Sequence, residues 1–302
     1  PVLLQETLEL LAVQPGDRVI DATLGDGGHT IAILAAIGPT GRLLSLDTSP
    51  VSLERARDRI GRDSRLSLVH ANFATLAKVA ESAGLTTVDS ILFDLGLASW
   101  QLGLDTDTRP LDPPSPPGLR LGQGIPGLSF QRDEFLDMRL DPTSGESARQ
   151  LLARVSPPEL EQIMETYGDL PRSRSLVGRL IEARQSGQLT STSQLVMAIG
   201  SHSPKLLAPI FQALRIAVNN ELQALEDGLD QALSLVAPHG RIVVISYHSG
   251  EDRLTKHRLK RAVVAGLGQL ITPHPLIPSS AEQRLNPRSR SAKLRAFERI
   301  ES

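Results

Sequence analysis

Short apolar segments that end in aspartate alternate with helix-like segments over the first hundred residues, and this alternation restricts the fold more than any other feature. The segments RVIDAT, RLLSLD and SILFDLG are separated by stretches such as HTIAILAAIG and SPVSLERARDRIG, and RLSLVHANF adds another apolar run. Strand, helix and strand at this spacing predict right-handed crossovers between parallel strands. We therefore predict an α/β fold built on a parallel sheet.

A proline-rich segment and a helical region interrupt the alternation. Residues 105–126 contain six prolines, so they are predicted to form an exposed loop. Four later segments have helical periodicity, and each starts at a serine that can cap a helix. IFQALRIAVNNELQALEDGLDQALSLV then predicts one long helix, and the strand pattern resumes in GRIVVISYH. The predicted domains are a first α/β part at 1–138, an inserted helical domain at 139–206 and a second α/β part at 207–302.

The composition limits the classes of function that remain. Lys+Arg of 32 against Asp+Glu of 34 gives a net charge of −2, so a polyanion would have to meet a local cluster of cations. The absence of cysteine excludes disulfides, thiolate metal sites and cysteine nucleophiles, and no metal is predicted. No apolar run approaches the ~18 residues of a membrane span, and no leader-like segment opens the sequence. These features predict a cytoplasmic enzyme or binding protein without a membrane partner.

A glycine turn connects the first strand to the first helix in VIDATLGDGGHT. Asp21 ends the strand, Gly25, Gly27 and Gly28 form the turn, and the helix starts at His29. Backbone N–H groups and a helix N terminus then face one concavity, which suits a nucleotide-like or carboxylate-bearing ligand. A glycine cluster by itself is as often a plain structural turn.

An acid at the end of the second strand indicates that the ligand is a nucleoside. Asp47 lies 20 residues beyond Gly27, where a carboxylate accepts hydrogen bonds from the two ribose hydroxyls. NAD and S-adenosylmethionine both fit this outline. The order D-x-x-x-G-x-G-G differs from G-x-G-x-x-G and favours S-adenosylmethionine, whose amino group and sulfonium give nearby acids a positive charge to contact.

The fourth strand ends at another acid. Asp94 follows the apolar run SILF and leaves the sheet at its carboxyl edge, where open α/β sheets hold reacting groups. Gly96 follows, at a position where a ligand can come close to the backbone. We interpret Asp94 as a functional residue, and the alternative is that it caps a turn.

Ten segments resemble, in order and over nearly the whole chain, the bacterial small-subunit (16S) ribosomal RNA cytosine-N4 methyltransferases. They are PVLLQETLELL, DATLGDGGHT, LLSLD, HANFATL, LFDLGLASWQL, FLDMRLDP, YGDLPRSR, FQALRIAVNNEL, GRIVVISYHSGEDRLTK and NPRSRSAKLRAFER. The resemblance implies a Rossmann-like class I S-adenosylmethionine-dependent methyltransferase sheet with an inserted small helical domain. It also implies methylation of the exocyclic N4 amine of a cytidine, with small-subunit ribosomal RNA or the 30S subunit as the partner.

The resemblance also implies which residues form the site. The residues predicted to bind S-adenosylmethionine are Gly25, Gly27, Gly28, His29, Asp47 at the ribose, Phe73 beside the adenine, Asp94 and Gln101. The residues predicted for catalysis are Asp94, Ser246, Tyr247 and His248. Asp94, or a backbone carbonyl beside it, is expected to accept the proton of the amine, and Tyr247 or Trp100 is expected to offer a face to the unstacked cytosine. For His248 a hydrogen-bonded structural role remains open.

Cations dominate the C-terminal part of the sequence. Between Arg253 and Arg299 there are eleven Lys or Arg residues and two acids. RNA contacts are predicted for Arg288, Arg290, Lys293 and Arg295. The alternative is a solvated helix face followed by a disordered tail. Two rival functions remain, a catalytically silent RNA-binding or assembly factor and an NAD-dependent oxidoreductase.

Overall fold

Seven strands form one sheet in the computed structural model, which describes residues 1–104 and 124–301. The strands are β1 (Arg18–Asp21), β2 (Arg42–Asp47), β3 (Leu66–His70), β4 (Val88–Asp94), β5 (Val236–Ser246), β6 (Gly268–Leu270) and β7 (Lys293–Arg299). Their order across the sheet is β3-β2-β1-β4-β5-β7-β6. Strands β1 to β5 are parallel, whereas β7 is antiparallel to both β5 and β6. The predicted α/β fold with a Rossmann-like sheet is confirmed.

The strand order places a ligand-binding crevice at β1. This strand pairs with β2 on one side and with β4 on the other, so the connections that leave β1 and β4 diverge at their carboxyl ends. Such a switch point is where open α/β sheets bind ligands. The glycine turn follows β1 and Asp94 ends β4, so both predicted motifs lie at this point.

The C-terminal segment does not form the disordered tail that was the alternative to RNA contacts. Lys293–Arg299 is strand β7, paired on both sides. Leu294, Ala296 and Phe297 are fully buried, and Arg295 is 6% exposed. The charged residues of KLRAFER do not give the sequence pattern of a buried strand. In the fold both faces of the strand are covered, and Arg295 is buried together with its apolar neighbours.

Helices cover both faces of the sheet. They are α1 (Leu4–Leu11), α2 (Gly28–Ala36), α3 (Pro50–Ile60), α4 (Leu76–Ser82), α10 (Glu221–Leu235), α11 (Ser249–Val264) and α12 (Ser280–Leu285). Because strand side chains alternate between faces, Val19 packs with residues of α1 and α2, whereas Ile20 packs with residues of α4, α10 and α11. Among the described residues no helix is long and apolar enough to cross a membrane.

The remaining helices form a second compact unit at Leu97–Glu221, and the sheet belongs to the first unit, Pro1–Gly96 with Leu222–Ser302. These helices are α5 (Ala148–Arg154), α6 (Pro157–Gly168), α7 (Arg174–Gln185), α8 (Thr192–Ile199) and α9 (Pro204–Asn219). The caps of α6 and α8 are the predicted serines, each accepting a backbone N–H, whereas α5 is capped by Ser147, three residues after the start of its predicted segment. Ser173 precedes α7 without such a bond.

The boundaries of the second unit are wider than those predicted for the inserted domain, 139 and 206. The predicted long helix is two helices, because Asn220 adopts a left-handed φ of 50° after α9. Asparagine tolerates this conformation, which ends a helix. Helix α9 packs with α6 in the second unit, so the unit extends to Glu221. Of the predicted proline-rich loop, residues 105–123 lie outside the described residues.

Candidate functional site

The glycine turn after β1 is shaped by backbone conformation. Gly25 and Gly27 have φ of 52° and 73°, values that other residues rarely adopt. A side chain at Gly25 would have no atom within 4 Å, so this residue borders open space. At Gly27 a Cβ would lie 3.0 Å from Ile60 Cδ1 of α3, so this residue faces the protein interior. The open side of the turn is therefore at Gly25.

Asp21 stabilises the glycine turn from the protein interior and does not face a ligand. Its side chain is completely buried. Thr30 Oγ1 donates to Asp21 Oδ2 at 2.7 Å, and Thr23 N–H donates to Oδ1 at 3.2 Å. Burial raises the pKa of Asp21, and these hydrogen bonds oppose the shift. The acid joins the end of β1 to the first turn of α2.

Asp47 connects the end of β2 to the glycine turn. Gly25 N–H donates to Asp47 Oδ2 at 2.9 Å, and Ser49 N–H donates to Oδ1 at 2.7 Å. Burial raises the pKa of Asp47 to about 6, against the effect of the two backbone donors. Each carboxylate oxygen has further lone pairs, so this side chain can also accept hydroxyl groups of a ligand beside Gly25.

Asp94 is held by three groups at the end of β4. Tyr247 Oη donates to Asp94 Oδ1 at 2.9 Å, and His29 Nδ1 lies 3.3 Å from Oδ2. The Asp94 N–H donates to Thr23 Oγ1 at 2.6 Å. Burial raises the pKa of Tyr247, as do the charge and hydrogen bond of Asp94, so the phenol stays protonated and remains a donor. The carboxylate is thus oriented at the carboxyl edge of the sheet.

Both ring nitrogens of His29 face acceptors. Nε2 lies 3.2 Å from the carbonyl oxygen of Val2, and Nδ1 faces Asp94. Burial lowers the pKa of His29, but the hydrogen bond to Asp94 and the charges of Asp94 and Asp21 outweigh it, so the net shift is upward. When both ring nitrogens carry a proton, the imidazole can donate to both acceptors. His29 therefore supports Asp94 in this structure.

Gly96 gives space to a tyrosine ring. A Cβ at Gly96 would lie 2.6 Å from Tyr247 Cε2. The expectation that this glycine admits a ligand is therefore wrong, because the ring of Tyr247 occupies the space as it reaches Asp94.

Phe73 lies just beyond β3, at the edge of the core. Its ring makes an edge-to-face contact with Phe93 at 5.6 Å between centroids. A Cβ on Gly228 of α10 would lie 2.9 Å from the Phe73 ring. The contact with adenine stays a prediction.

The residues that follow β5 differ in their roles. Ser246 is 1% exposed, and its Oγ has no hydrogen-bond partner among the described residues. His248 caps α11, because the Glu251 N–H donates to His248 Nδ1 at 3.4 Å. Glu251 returns the contact by accepting the N–H groups of Tyr247 at 2.7 Å and His248 at 3.3 Å. This geometry favours the structural alternative for His248. Glu251 is buried, and it was not predicted from the sequence although H-S-G-E has the spacing of a capping box.

Gln101 and Trp100 belong to the second unit. Gln101 is 7% exposed, and its Oε1 accepts the N–H of Ala98 at 2.7 Å. Trp100 is 1% exposed, so its ring offers no open face to a base in this structure. The cofactor contact of Gln101 stays a prediction.

The four cations predicted for RNA lie in different environments. Arg290 is exposed, and Arg288 is half-buried near Tyr247, where burial lowers the pKa of the guanidinium against the charge interaction with that phenol. Asp252 pairs with Lys293 at 3.0 Å and with Arg295 at 2.7 Å. The side chain of Lys293 remains 41% exposed, whereas that of Arg295 is 7% exposed. A phosphate contact by Arg295 does not fit this burial, because its guanidinium already neutralises Asp252 within the protein.

Comparison with known proteins places these motifs in a family. The sequence profile of the MraW methylase family matches residues 1–110 and 118–300. The chain belongs to this family. The predicted family resemblance is confirmed, and with it the prediction of a methyltransferase rather than an oxidoreductase.

Similar proteins match this methylase over its full length. The ribosomal RNA small subunit methyltransferase H of Thermomicrobium roseum is 42% identical, with 99% of this chain and 93% of the relative covered. The protein of the same name from Trichlorobacter lovleyi is 36% identical, with 99% and 97% covered. Among solved structures, an rRNA methylase from Clostridium thermocellum described as putative has a TM-score of 0.45 at 12% identity, with 99% and 98% covered.

Proposed function

We propose that this methylase transfers the methyl group of S-adenosylmethionine to the N4 amine of a cytidine in small-subunit ribosomal RNA. One observation carries the proposal: in a chain of the MraW methylase family, the sheet edge that holds the glycine turn and Asp47 also holds Asp94, bound by Tyr247 and His29. The relatives named as small-subunit ribosomal RNA methyltransferases support the class of substrate. Such a substrate places the protein in the cytoplasm.

The turn and its acid suit a nucleoside cofactor. Gly25 borders open space, and its N–H holds the carboxylate of Asp47 beside that space. We propose that Asp47 accepts the ribose hydroxyls, and that the N terminus of α2 at Gly28 and His29 borders the rest of the cofactor. When bound, S-adenosylmethionine supplies an electrophilic methyl group on a sulfonium.

Asp94 is the group that we propose as proton acceptor. The N4 amine of cytosine is a weak nucleophile because its lone pair is delocalised into the ring, so the site has to orient it and accept the proton that it loses. Tyr247 and His29 hold the two carboxylate oxygens of Asp94 in one orientation. The contact of Ser246 with the base stays a prediction, because its hydroxyl is buried at the end of the neighbouring strand without a hydrogen-bond partner among the described residues.

The absence of cysteine supports a nitrogen target. Methylation of pyrimidine carbon 5 by the usual route needs a cysteine to add to the ring, and the chain contains none. An exocyclic amine carries its own lone pair and needs only placement and removal of a proton. The loops that bear Asp94 and Tyr247 also contain no lysine to activate a ribose hydroxyl.

A reconstituted reaction tests the proposal. Purified enzyme, S-adenosylmethionine and either 30S subunits or naked small-subunit RNA are incubated, and the nucleosides are identified by mass spectrometry. We expect N4-methylcytidine, lost by at least about 100-fold in Asp94→Asn, since general-base contributions are of that order. Asp89→Asn, at the opposite end of β4 where Asp89 pairs with Arg18, is the matched control and should retain activity.

Other products would overturn the assignment. Recovery of 5-methylcytidine or a ribose-methylated nucleoside alone would refute the N4 target. Tight RNA binding without turnover on either substrate would favour the silent assembly factor.

A further inference from the structure

The outer face of α11 is a row of cations. Arg253, Lys256, His257, Lys260 and Arg261 are all exposed. Their spacing of i, i+3, i+4, i+7 and i+8 places them on one side of the helix. At a rise of 1.5 Å per residue this row is about 12 Å long.

The opposite face of the helix is buried and contains the acid of its first turn. Glu251, Thr255, Leu259 and Ala262 are buried. Glu251 accepts the backbone N–H groups that start the helix, so it does not reach the outer face. Asp252 is occupied by Lys293 and Arg295 of β7. The outer face therefore presents positive charge without acids.

Arg258 provides a contrast on the same helix. It pairs with Glu226 and Asp230 of α10, and its side chain is 17% exposed. The four outer cations, Arg253, Lys256, Lys260 and Arg261, have no acidic partner within 4.0 Å in the described part of the chain.

Repulsion within the row argues for an external anion. Like charges at i,i+4, such as Lys256 and Lys260, destabilise a helix. The exposed face of α3, by comparison, mixes Arg57 and Arg59 with Asp58. A row without acids is thus disfavoured in the free protein, and an ordered series of phosphates would relieve the repulsion.

The row starts beside the proposed reaction centre. Helix α11 begins at Ser249, two residues after Tyr247, whose hydroxyl is bonded to Asp94. We propose that Arg253, Lys256, Lys260 and Arg261 bind the phosphate backbone of the ribosomal RNA next to the target cytidine. This inference rests on the proposed function, because it takes RNA as the substrate.

The salt dependence of RNA binding tests this assignment. Lys256→Gln/Lys260→Gln is compared with Arg42→Gln/Arg62→Gln, which removes two exposed cations near the amino ends of β2 and β3. Binding to a small-subunit RNA transcript is measured against salt concentration. Each lost phosphate contact lowers the slope of log K against log salt by about 0.7 to 0.9. We expect a reduction of about 1.5 for the α11 pair and none for the control pair.

Two further measurements separate this inference from the proposed function. S-adenosylhomocysteine affinity should be unchanged in both variants, since neither pair touches the glycine turn. The α11 variant should melt at or slightly above the wild-type temperature, because it lacks the repulsion between Lys256 and Lys260. Equal salt slopes in wild type and the α11 variant, while wild type still forms N4-methylcytidine, would overturn the surface assignment alone. A reduced slope with no N4-methylcytidine from wild type would support the surface and refute the proposed function.

Discussion

The glycines of the first turn serve different purposes. Gly25 has a left-handed φ and open space beside it, whereas Gly27 has a left-handed φ and the side chain of Ile60 beside it. At Gly28 a Cβ would lie 3.0 Å from the ring of Pro1. A side chain at Gly27 would therefore meet Ile60 of α3 rather than the open side of the turn.

Gly27→Val should therefore act through stability. Backbone strain and overpacking against Ile60 and Ala56 are expected to lower the free energy of unfolding by about 2 to 4 kcal/mol. Gly25→Ala, with strain alone, should cost about 1 to 2 kcal/mol. Denaturant titration measures both. A Gly27→Val protein of normal stability that no longer binds S-adenosylhomocysteine would contradict this interpretation.

Asp47 makes cofactor binding depend on pH. In the free protein the pKa of this carboxyl is about 6. Ribose hydroxyls donate to the charged form, so binding lowers the pKa and releases a proton below pH 6. Affinity should therefore rise as pH increases and level off above about pH 7, with binding about tenfold weaker at pH 5.

Calorimetry with S-adenosylhomocysteine between pH 5 and 8 measures this dependence. Asp47→Asn should bind more weakly and without the change centred near the pKa of about 6. The same pH dependence in Asp47→Asn would assign the proton to another group, such as His29.

At the scale of elements, the start of α11 determines where Tyr247 lies. His248 caps the helix, and Glu251 binds the N–H groups of both Tyr247 and His248. This arrangement leaves Tyr247 directed at Asp94. The cap therefore serves the site indirectly, by positioning the tyrosine.

Substitution of His248 separates a cap from a catalyst. Asparagine also caps helices, so His248→Asn should retain most of the stability, whereas His248→Ala should lose about 0.5 to 2 kcal/mol. Thermal melts and turnover are measured on both variants. If His248→Asn melts normally but loses turnover by orders of magnitude, the imidazole takes part in the reaction itself.

For the molecule as a whole, the second unit holds Gly103 and Gly124, which flank residues 105–123, close to each other. A Cβ on Gly124 would lie 2.6 Å from the backbone nitrogen of Gly103. Ile125 is 3% exposed, and Pro126 accepts the N–H of Met138 at 2.9 Å. The predicted loop boundary at 126 therefore includes residues that pack within the unit.

Two deletions should differ in stability. Replacing residues 105–123 by two glycines should preserve a cooperative melt, because the linker has a short gap to close. Extending the deletion to 126 removes Ile125 and should cost about 2 to 5 kcal/mol, as for loss of a buried aliphatic side chain. Differential scanning calorimetry compares them. Equal melts would show that Ile125 contributes little.

Sequence reasoning was sufficient for the α/β class, for the glycine turn with Asp47 and for the family. These are local signals: apolar periodicity, glycines at required positions, and acids at strand ends. The sequence also indicated the caps at Ser156 and Ser191, because capping depends on residues three positions apart.

The partners of these residues could be identified from the folded chain but not from the sequence. Strand β7 could not be recognised, because burial of Arg295 depends on Asp252, 43 residues away in sequence. Asp94 is held by Tyr247, 153 residues away in sequence, and by His29 of α2. The cationic face of α11 also depends on residues that are distant in sequence. The acids that neutralise Arg258 come from α10, and Asp252 of α11 pairs with β7. Local propensity acts within a few residues, whereas burial and charge pairing depend on which elements the fold makes neighbours.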